Sequence, residues 1–191
     1  MSSEPKNKFT LSVEKLLTPD TLKRNLIVAS LYLSAYEILK GAVIDQPKSF
    51  FTDFTSEGFE PGKKYKDEVR SLHKDEFQAS CLWHLRNDII TQAEFDEIQV
   101  LRRHRNEIAH ELASFLIDID KEVNIHYLRA ILRLLTKIDR WWIMSFELPI
   151  NPDCDEVEVN EEDVKSGRMV LLDVIIQSAL ESESPNNTST S

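Results

Sequence analysis

An arginine, an asparagine and a histidine near the middle of the chain are the residue types needed to cut RNA without a metal ion. Arg105 is followed directly by Asn106, and His110 lies five positions after the arginine. Imidazole exchanges protons near neutral pH, and a guanidinium binds phosphate and the negative charge that grows on it. The nucleophile, the 2′-hydroxyl, is already part of RNA. These three residues are therefore the first candidates for a catalytic site.

The same residues lie in a segment that is predicted to be helical. An apolar seam with helical spacing runs through it, formed by Ile98, Leu101, Ile108, Leu112 and Phe115. Arg105 falls within this seam, and His110 lies about 140° away from it around the helix. Three arrangements would bring the two side chains together: the long arginine bends around, the helix breaks near the motif, or the two residues meet across a two-fold dimer.

The charge distribution is compatible with binding to phosphate. The formal net charge is −10, but residues 151–191 hold ten acidic and two basic residues, whereas the first 150 residues hold 23 acidic and 21 basic ones. Local charge decides phosphate binding, and Arg102, Arg103 and Arg105 form a local basic cluster. Arg102 and Arg103 are candidate contacts to an RNA backbone, with a solvated helix face as the alternative.

The chain is expected to be all-α. Glycine is scarce, with four residues, and most of the seven prolines fall between periodic stretches. The pattern predicts helices from Thr18 to about Ile44, and over about Lys66–Leu85, Gln92–Leu116, Asn124–Phe146 and Gly167–Leu180. Thr91 and Glu94 form a capping-box pattern at the start of the third of these. The expected fold is an antiparallel bundle of four to five helices with a long aromatic-rich loop, Asp45–Lys64, after the first helix.

Four regions follow from this pattern. Residues 1–17 are expected to be a flexible arm, 18–149 the bundle, 150–182 an acidic linker with a C-terminal helix, and 183–191 a disordered tail. Cys81 and Cys154 have no metal-binding spacing, and Cys81 is expected to be a buried thiol. We expect no cofactor or metal. No signal peptide or uninterrupted apolar run long enough for a membrane span is present, so a cytoplasmic location is expected.

The arginine–histidine pattern resembles the HEPN superfamily, small all-helical domains marked by an arginine, four to six residues and a histidine. Arg105-Asn106 and His110 fit this pattern with four intervening residues. Glu37 and Lys40 on the first predicted helix resemble the Glu-x-x-Lys face of many HEPN domains. The resemblance covers about residues 18–146.

The resemblance implies a metal-independent endoribonuclease that works as a homodimer with a composite active site. His110 would transfer protons, Arg105 would contact the phosphate and the transition state, and Asn106 would orient the phosphate or the imidazole. Many such enzymes belong to toxin–antitoxin or antiviral defence systems, so an antitoxin or regulatory protein is a further expected partner beside RNA. A tyrosine often stands two residues after the histidine in antitoxin-paired members, and this chain has Leu112 there.

A non-catalytic helical module that binds RNA or a protein is the alternative interpretation. In that case Arg105 forms a buried ion pair with an acid such as Glu37, and His110 is an ordinary surface histidine. Trp141 and Trp142 are expected in the core rather than as base-stacking platforms. The acidic segment 153–163 is expected to be a solubilising linker, with a position over the basic cluster as the other possibility.

Overall fold

A computed structural model describes residues 7–55, 58–151 and 159–183 and shows a mostly helical chain, which confirms the all-α class. Within these residues there are seven α-helices and one two-stranded antiparallel sheet. The helices are α1 (Lys8–Leu17), α2 (Pro19–Phe50), α3 (Lys63–Glu68), α4 (Glu76–Arg86), α5 (Gln92–Ile117), α6 (His126–Trp142) and α7 (Gly167–Glu183), and the strands are β1 (Thr52–Thr55) and β2 (Gly58–Pro61).

Helix α2 is the centre of the fold. It contacts α1, α4, α5, α6 and α7, and its inner residues, among them Tyr32 and Leu39, are fully buried. The hydroxyl of Tyr32 donates a hydrogen bond to the carbonyl of Leu101 on α5, at 3.1 Å. By length and composition, α2 is also the one helix of the described residues that could cross a membrane, and 44% of its apolar 18-residue window is buried in the protein. Its packing on five helices accounts for its apolar composition.

The end of α2 and the segment after it differ from the sequence prediction. Helix α2 continues through Pro47 to Phe50, and β1 and β2 form a hairpin where an aromatic-rich loop was expected. A proline inside a helix usually ends it, but Pro47 is buried and the next turn is held by packing. Phe50 packs at a tilt against Trp142, and Phe51 packs edge-to-face against Trp83, with ring centroids 5.6 and 5.9 Å apart. Tertiary contacts here override the local signal.

The predicted second helix is in fact three short elements: α3, a 3-10 turn at Arg70–Leu72 and α4. The break comes at Asp75, whose carboxylate accepts the backbone N–H of Gln78 at 2.9 Å and so caps a new helix. Nδ1 of His73 accepts the N–H of Asp75, also at 2.9 Å. These side-chain bonds to the backbone compete with a continuous helix. Apolar periodicity does not register such bonds, so it predicted one helix where there are three elements.

Residues 8–17, which the sequence placed in a flexible arm, form the helix α1. Asn7 caps this helix by accepting the N–H of Thr10 at 2.9 Å. The ammonium of Lys15 donates to the carbonyls of Phe115, Asp118 and Lys121, at 3.2, 2.6 and 3.0 Å. A helix this short is only marginally stable by itself, so the contacts of Lys15 with the end of α5 stabilise α1. Residues 1–6 lie outside the described part of the chain.

The C-terminal helix is anchored by a buried carboxylate. Asp139 on α6 is fully buried and accepts hydrogen bonds from Gln46 Nε2 at 2.8 Å, from Arg168 Nη2 at 3.0 Å and from the hydroxyl of Ser166. One carboxylate thus joins α2, α6 and the start of α7. The bounds of α7 agree with the predicted helix at its start and extend it to Glu183.

Of three residues that the sequence placed in the core, Trp142 and Cys81 are buried there, and Trp141 is half-buried and packs against it. Trp142 is 5% exposed and stacks on Trp83, with 5.8 Å between ring centroids and an interplanar angle of 17°. Cys81 is fully buried, and burial raises the pKa of its thiol to about 12. The expectations of a core Trp142 and a buried Cys81 thiol are confirmed. Cys154 lies outside the described residues.

Candidate active-site cleft between helices α2 and α5

Helix α5 carries all the motif residues, and its start is fixed by the predicted capping box. Thr91 accepts the N–H of Glu94, and the carboxylate of Glu94 accepts the N–H of Thr91 at 2.8 Å. The helix is regular until Glu111, which has non-helical angles of φ −123° and ψ 29°. Because this distortion comes after His110, the interval from Arg105 to His110 is ordinary helix. Arg105 and His110 are therefore about 140° apart around the helix axis and about 7.5 Å apart along it.

Arg105 forms an ion pair with Glu37 on α2. Its Nε and Nη2 donate to Oε1 of Glu37 at 3.1 and 2.7 Å, and Lys40 Nζ donates to Oε2 of Glu37 at 3.1 Å. Partial burial would raise the pKa of Glu37, but the hydrogen bonds from Lys40 and Arg105 outweigh it and the pKa lies below its ordinary value. The partner expected for Arg105 is thus present. The pair is not buried, since the side chains are 31% and 44% exposed.

Asn106 lies beside the guanidinium of Arg105. Nη1 of Arg105 donates to Oδ1 of Asn106 at 3.3 Å. Arginine has five N–H donors, and the bonds to Glu37 and Asn106 use three of them. The remaining donors on Nη1 and Nη2 form the edge of the guanidinium that is suited to a phosphate oxygen pair.

Arg102 is held one turn earlier by a residue that the sequence did not single out. Its Nη2 lies 3.1 Å from Oδ2 of Asp75, and its guanidinium lies over the ring of Phe77 at 5.4 Å from the centroid. The N–H of Gln78 and, next, Arg102 hold the pKa of Asp75 below its ordinary value, against the effect of partial burial. Asp75 lies at the break before α4. The local sequence indicates a helix N-cap there but gives no sign of the contact with Arg102.

These side chains line one open cleft of about 280 Å³ between α2, α4 and α5. Its cations are Lys40, Arg102 and Arg105, and its acids are Glu37, Asp75 and Glu76; Asn106, Tyr36, Ile44 and Phe77 complete the wall. The cleft therefore gathers five of the seven predicted site residues. Its formal charge is balanced, so a phosphate would be recognised by directed hydrogen bonds more than by net positive charge.

His110 and Arg103 are the two predicted residues that do not line this cleft. Both are exposed, and the imidazole of His110 contacts no hydrogen-bonding or ionic partner within the described ranges. The structure of a single chain therefore does not bring His110 to Arg105. Of the three arrangements left open by the sequence, a bent arginine is not observed, since Arg105 reaches to Glu37, and the helix distortion falls beyond the motif.

His104, the histidine beside Arg105, has a structural position. Its ring contacts Tyr32, Phe115 and Tyr127 edge-on, with centroids 4.9, 5.9 and 5.1 Å away, and Nε2 accepts the N–H of Asn124 at 3.2 Å. Burial lowers the pKa of His104 and outweighs the opposite effect of Glu107. The ring faces the core and not the cleft.

No cluster of three or more His, Cys, Asp or Glu side chains suited to a metal ion occurs in the part of the chain that the structure describes. No family model, curated protein or solved structure matches the chain. Function must therefore be inferred from the cleft itself.

Proposed function

We propose that the chain is a metal-independent endoribonuclease of HEPN type, acting as a homodimer in the cytoplasm. The observation that carries this proposal is the side-by-side position of Arg105 and Asn106 at an open cleft, backed by Glu37 and Lys40. Those four residues are among the five that the HEPN resemblance selected from the sequence, the fifth being His110. Glu37 orients the guanidinium while leaving one donor edge free for the scissile phosphate.

In this mechanism Arg105 binds the phosphate and stabilises the charge that develops as the 2′-hydroxyl attacks phosphorus. His110 removes the proton from that hydroxyl or returns one to the departing 5′-oxygen. The products are a 2′,3′-cyclic phosphate and a 5′-hydroxyl, and no water or metal ion enters this first step. Asn106 directs its amide to a phosphate oxygen, and Arg102 contacts a neighbouring phosphate.

A second copy of the chain is needed because His110 faces away from the cleft of its own protomer. His110 comes directly before the distortion at Glu111, and Ala113, Ser114 and Ile117 lie on the next two turns of α5. They line an open groove of about 470 Å³ against α1, beside Phe9, which is 76% exposed. A second copy docked along this surface would cover an apolar patch, and the composite site requires that its Arg105 then lie beside His110 of the first copy.

The decisive experiment is incubation of the purified protein with RNA and a chelator. We expect cleavage in EDTA, and a loss of about a hundredfold or more in His110→Ala and in Arg105→Ala. His126→Ala and Arg129→Ala, which change exposed residues of α6, serve as matched controls. Unchanged cleavage in both motif variants, with folding verified by circular dichroism, would reject the nuclease.

Mixing the two inactive variants tests the composite site. If Arg105 and His110 come from different protomers, a mixed dimer holds one intact pair, and random mixing restores about a quarter of wild-type activity. Sites built within one protomer restore none. Phe9→Asp should abolish both the dimer, measured by light scattering, and cleavage.

A toxin or phage-defence role belongs to the same proposal, with an antitoxin or regulatory protein as partner. Induced expression in a bacterial host should then arrest growth, and His110→Ala should relieve the arrest. Growth arrest that persists in His110→Ala contradicts a nuclease toxin.

A non-catalytic module that binds RNA or a protein is the second candidate. The observation that favours it is that both cleft arginines are already paired with carboxylates, Arg102 with Asp75 and Arg105 with Glu37. It predicts RNA or protein binding without cleavage and full retention of binding in His110→Ala.

A further inference from the structure

A second cleft lies at the C-terminal end of α2, beside the β-hairpin. It has a volume of about 360 Å³ and is lined by Phe50, Phe51, Thr52, Asp53, Lys63 and Lys64. Both lysines are exposed, and neither forms an ion pair with any residue for which the structure gives a side chain. In the active-site cleft Lys40, Arg102 and Arg105 are each paired with a carboxylate. Lys63 and Lys64 are unpaired among the described side chains and lie next to an aromatic surface.

Aromatic side chains form one wall of this second cleft. Phe50 is 47% exposed, and its ring is held by Phe51, Trp142 and Phe146, with centroids 4.9, 5.6 and 4.5 Å away. A fixed, half-exposed ring beside lysines is the combination that binds single-stranded nucleic acid, because bases stack on the ring while ammonium groups contact phosphates.

One face of α2 connects the two clefts. Lys40 and Ile44 line the active-site cleft, and Lys48 follows four residues later on the same face. Lys48 Nζ lies 3.7 Å from Oε1 of Glu76, another residue of that cleft. The hydroxyl of Thr52 donates to the carbonyl of Lys48 at 2.8 Å, and Thr52 lines the second cleft. The distance along α2 from Lys40 to Phe50, which lines the second cleft, is about 15 Å, and a strand of several nucleotides spans it.

We infer that the second cleft binds the phosphate backbone and one base of the RNA strand whose scissile phosphate lies at Arg105. Lys63 and Lys64 contact phosphates, Phe50 stacks a base, and Lys48 lies on the path between the clefts. This inference deepens the proposed nuclease and rests on it for the identity of the ligand. A membrane surface would also attract lysines and an apolar ring, but the continuity of this surface with Arg105 and Asn106 favours a nucleic-acid strand.

The test is binding of uncleavable 2′-O-methyl oligonucleotides, measured by fluorescence anisotropy. A strand of about twelve nucleotides reaches both clefts and one of about four nucleotides reaches only one. In Lys63→Ala/Lys64→Ala we expect binding of the long strand to weaken by about tenfold and its salt dependence, d log K/d log[salt], to fall in magnitude by about 1.4. Cleavage of a short RNA depends on the active-site cleft, so it should weaken much less than binding of the long strand.

Matched variants separate this site from general charge effects. Lys23→Ala/Arg24→Ala removes an adjacent pair of exposed basic residues near the other end of α2 and should leave long-strand binding unaltered within twofold. Phe50→Leu keeps an apolar side chain against Trp142 and should weaken the long strand by a few fold.

The outcomes distinguish the two proposals. Lysine-dependent binding of the long strand without any RNA cleavage supports the second cleft and rejects the nuclease. Cleavage with unaltered long-strand binding in Lys63→Ala/Lys64→Ala overturns the second cleft alone. The inference is also overturned if wild-type protein binds neither strand. Lysine-dependent binding to vesicles containing phosphatidylserine, with no effect on oligonucleotides, would assign the surface to a membrane instead.

Discussion

Nη2 of Arg105 lies 2.7 Å from Oε1 of Glu37, across 68 residues of sequence and between the two longest helices. The contact couples the motif on α5 to the Glu-x-x-Lys face on α2. It also fixes which edge of the guanidinium remains open, because Nε and Nη2 both donate to the same carboxylate oxygen.

Removing the Glu37 carboxylate should slow RNA cleavage through the geometry of Arg105. In Glu37→Ala the guanidinium is free to rotate, and we expect kcat to fall by about tenfold or more with a smaller change in KM. Glu37→Gln retains an acceptor and should recover part of the loss. Steady-state kinetics on a short RNA measure both constants. A rise in activity in Glu37→Ala would instead identify Glu37 as an inhibitor that masks the arginine.

Replacing Lys15 should loosen α1. The ammonium of Lys15 binds three carbonyls near the C-terminus of α5. A positive charge there also interacts favourably with the negative end of the helix dipole. We expect Lys15→Met to lower the free energy of unfolding by about 1–2 kcal/mol and to increase hydrogen exchange over residues 8–17. Lys23→Met, an exposed change on α2, is the control. Equal exchange in both variants would show that apolar contacts alone hold α1.

Replacing Arg168 should weaken the attachment of α7. Arg168 donates to the fully buried Asp139, and its loss leaves that carboxylate with Gln46 and Ser166 as hydrogen-bond donors. We expect Arg168→Met to cost about 2 kcal/mol in urea unfolding, with earlier proteolysis just before α7. Arg129→Met, at an exposed site on α6, should change neither measurement.

His84 should make stability depend on pH in mildly acidic solution. It is fully buried, and burial lowers its pKa from 6.5 to about 4, although Nδ1 hydrogen-bonds to the carbonyl of Ser80 at 2.8 Å. The unfolded chain takes up a proton on this histidine below pH 6.5, and the folded chain does so only near pH 4. Stability is therefore complete above pH 6.5 and falls as the pH decreases toward 4, by about 3 kcal/mol in total.

The variant His84→Asn isolates this effect. Its amide can bond to the Ser80 carbonyl but does not titrate, so the variant should be less stable at pH 7 yet show a smaller loss between pH 6.5 and 4.5. Urea unfolding at these pH values measures the difference, and His104 is present in both proteins and contributes equally. An identical pH dependence in the two proteins would contradict a buried neutral His84.

The sequence was sufficient for features that depend on neighbours along the chain. The apolar seam of α5 and the Thr91–Glu94 capping box predicted that helix to within one residue, because both signals act within a turn or two. The scarcity of glycine indicated the all-α class. An ion pair of Arg105 with an acid such as Glu37 was one expected role for the arginine, and that contact is present, although it is not buried.

Only the tertiary structure determined features that depend on distant residues. The order of α1 comes from Lys15 meeting carbonyls about 100 positions away, and the passage of α2 through Pro47 comes from aromatic packing on Trp83 and Trp142. The role of Asp75 in the cleft likewise depends on α4 lying against α5. Helical periodicity specifies which face of a helix is apolar, but it carries no information about which distant residue will lie against that face.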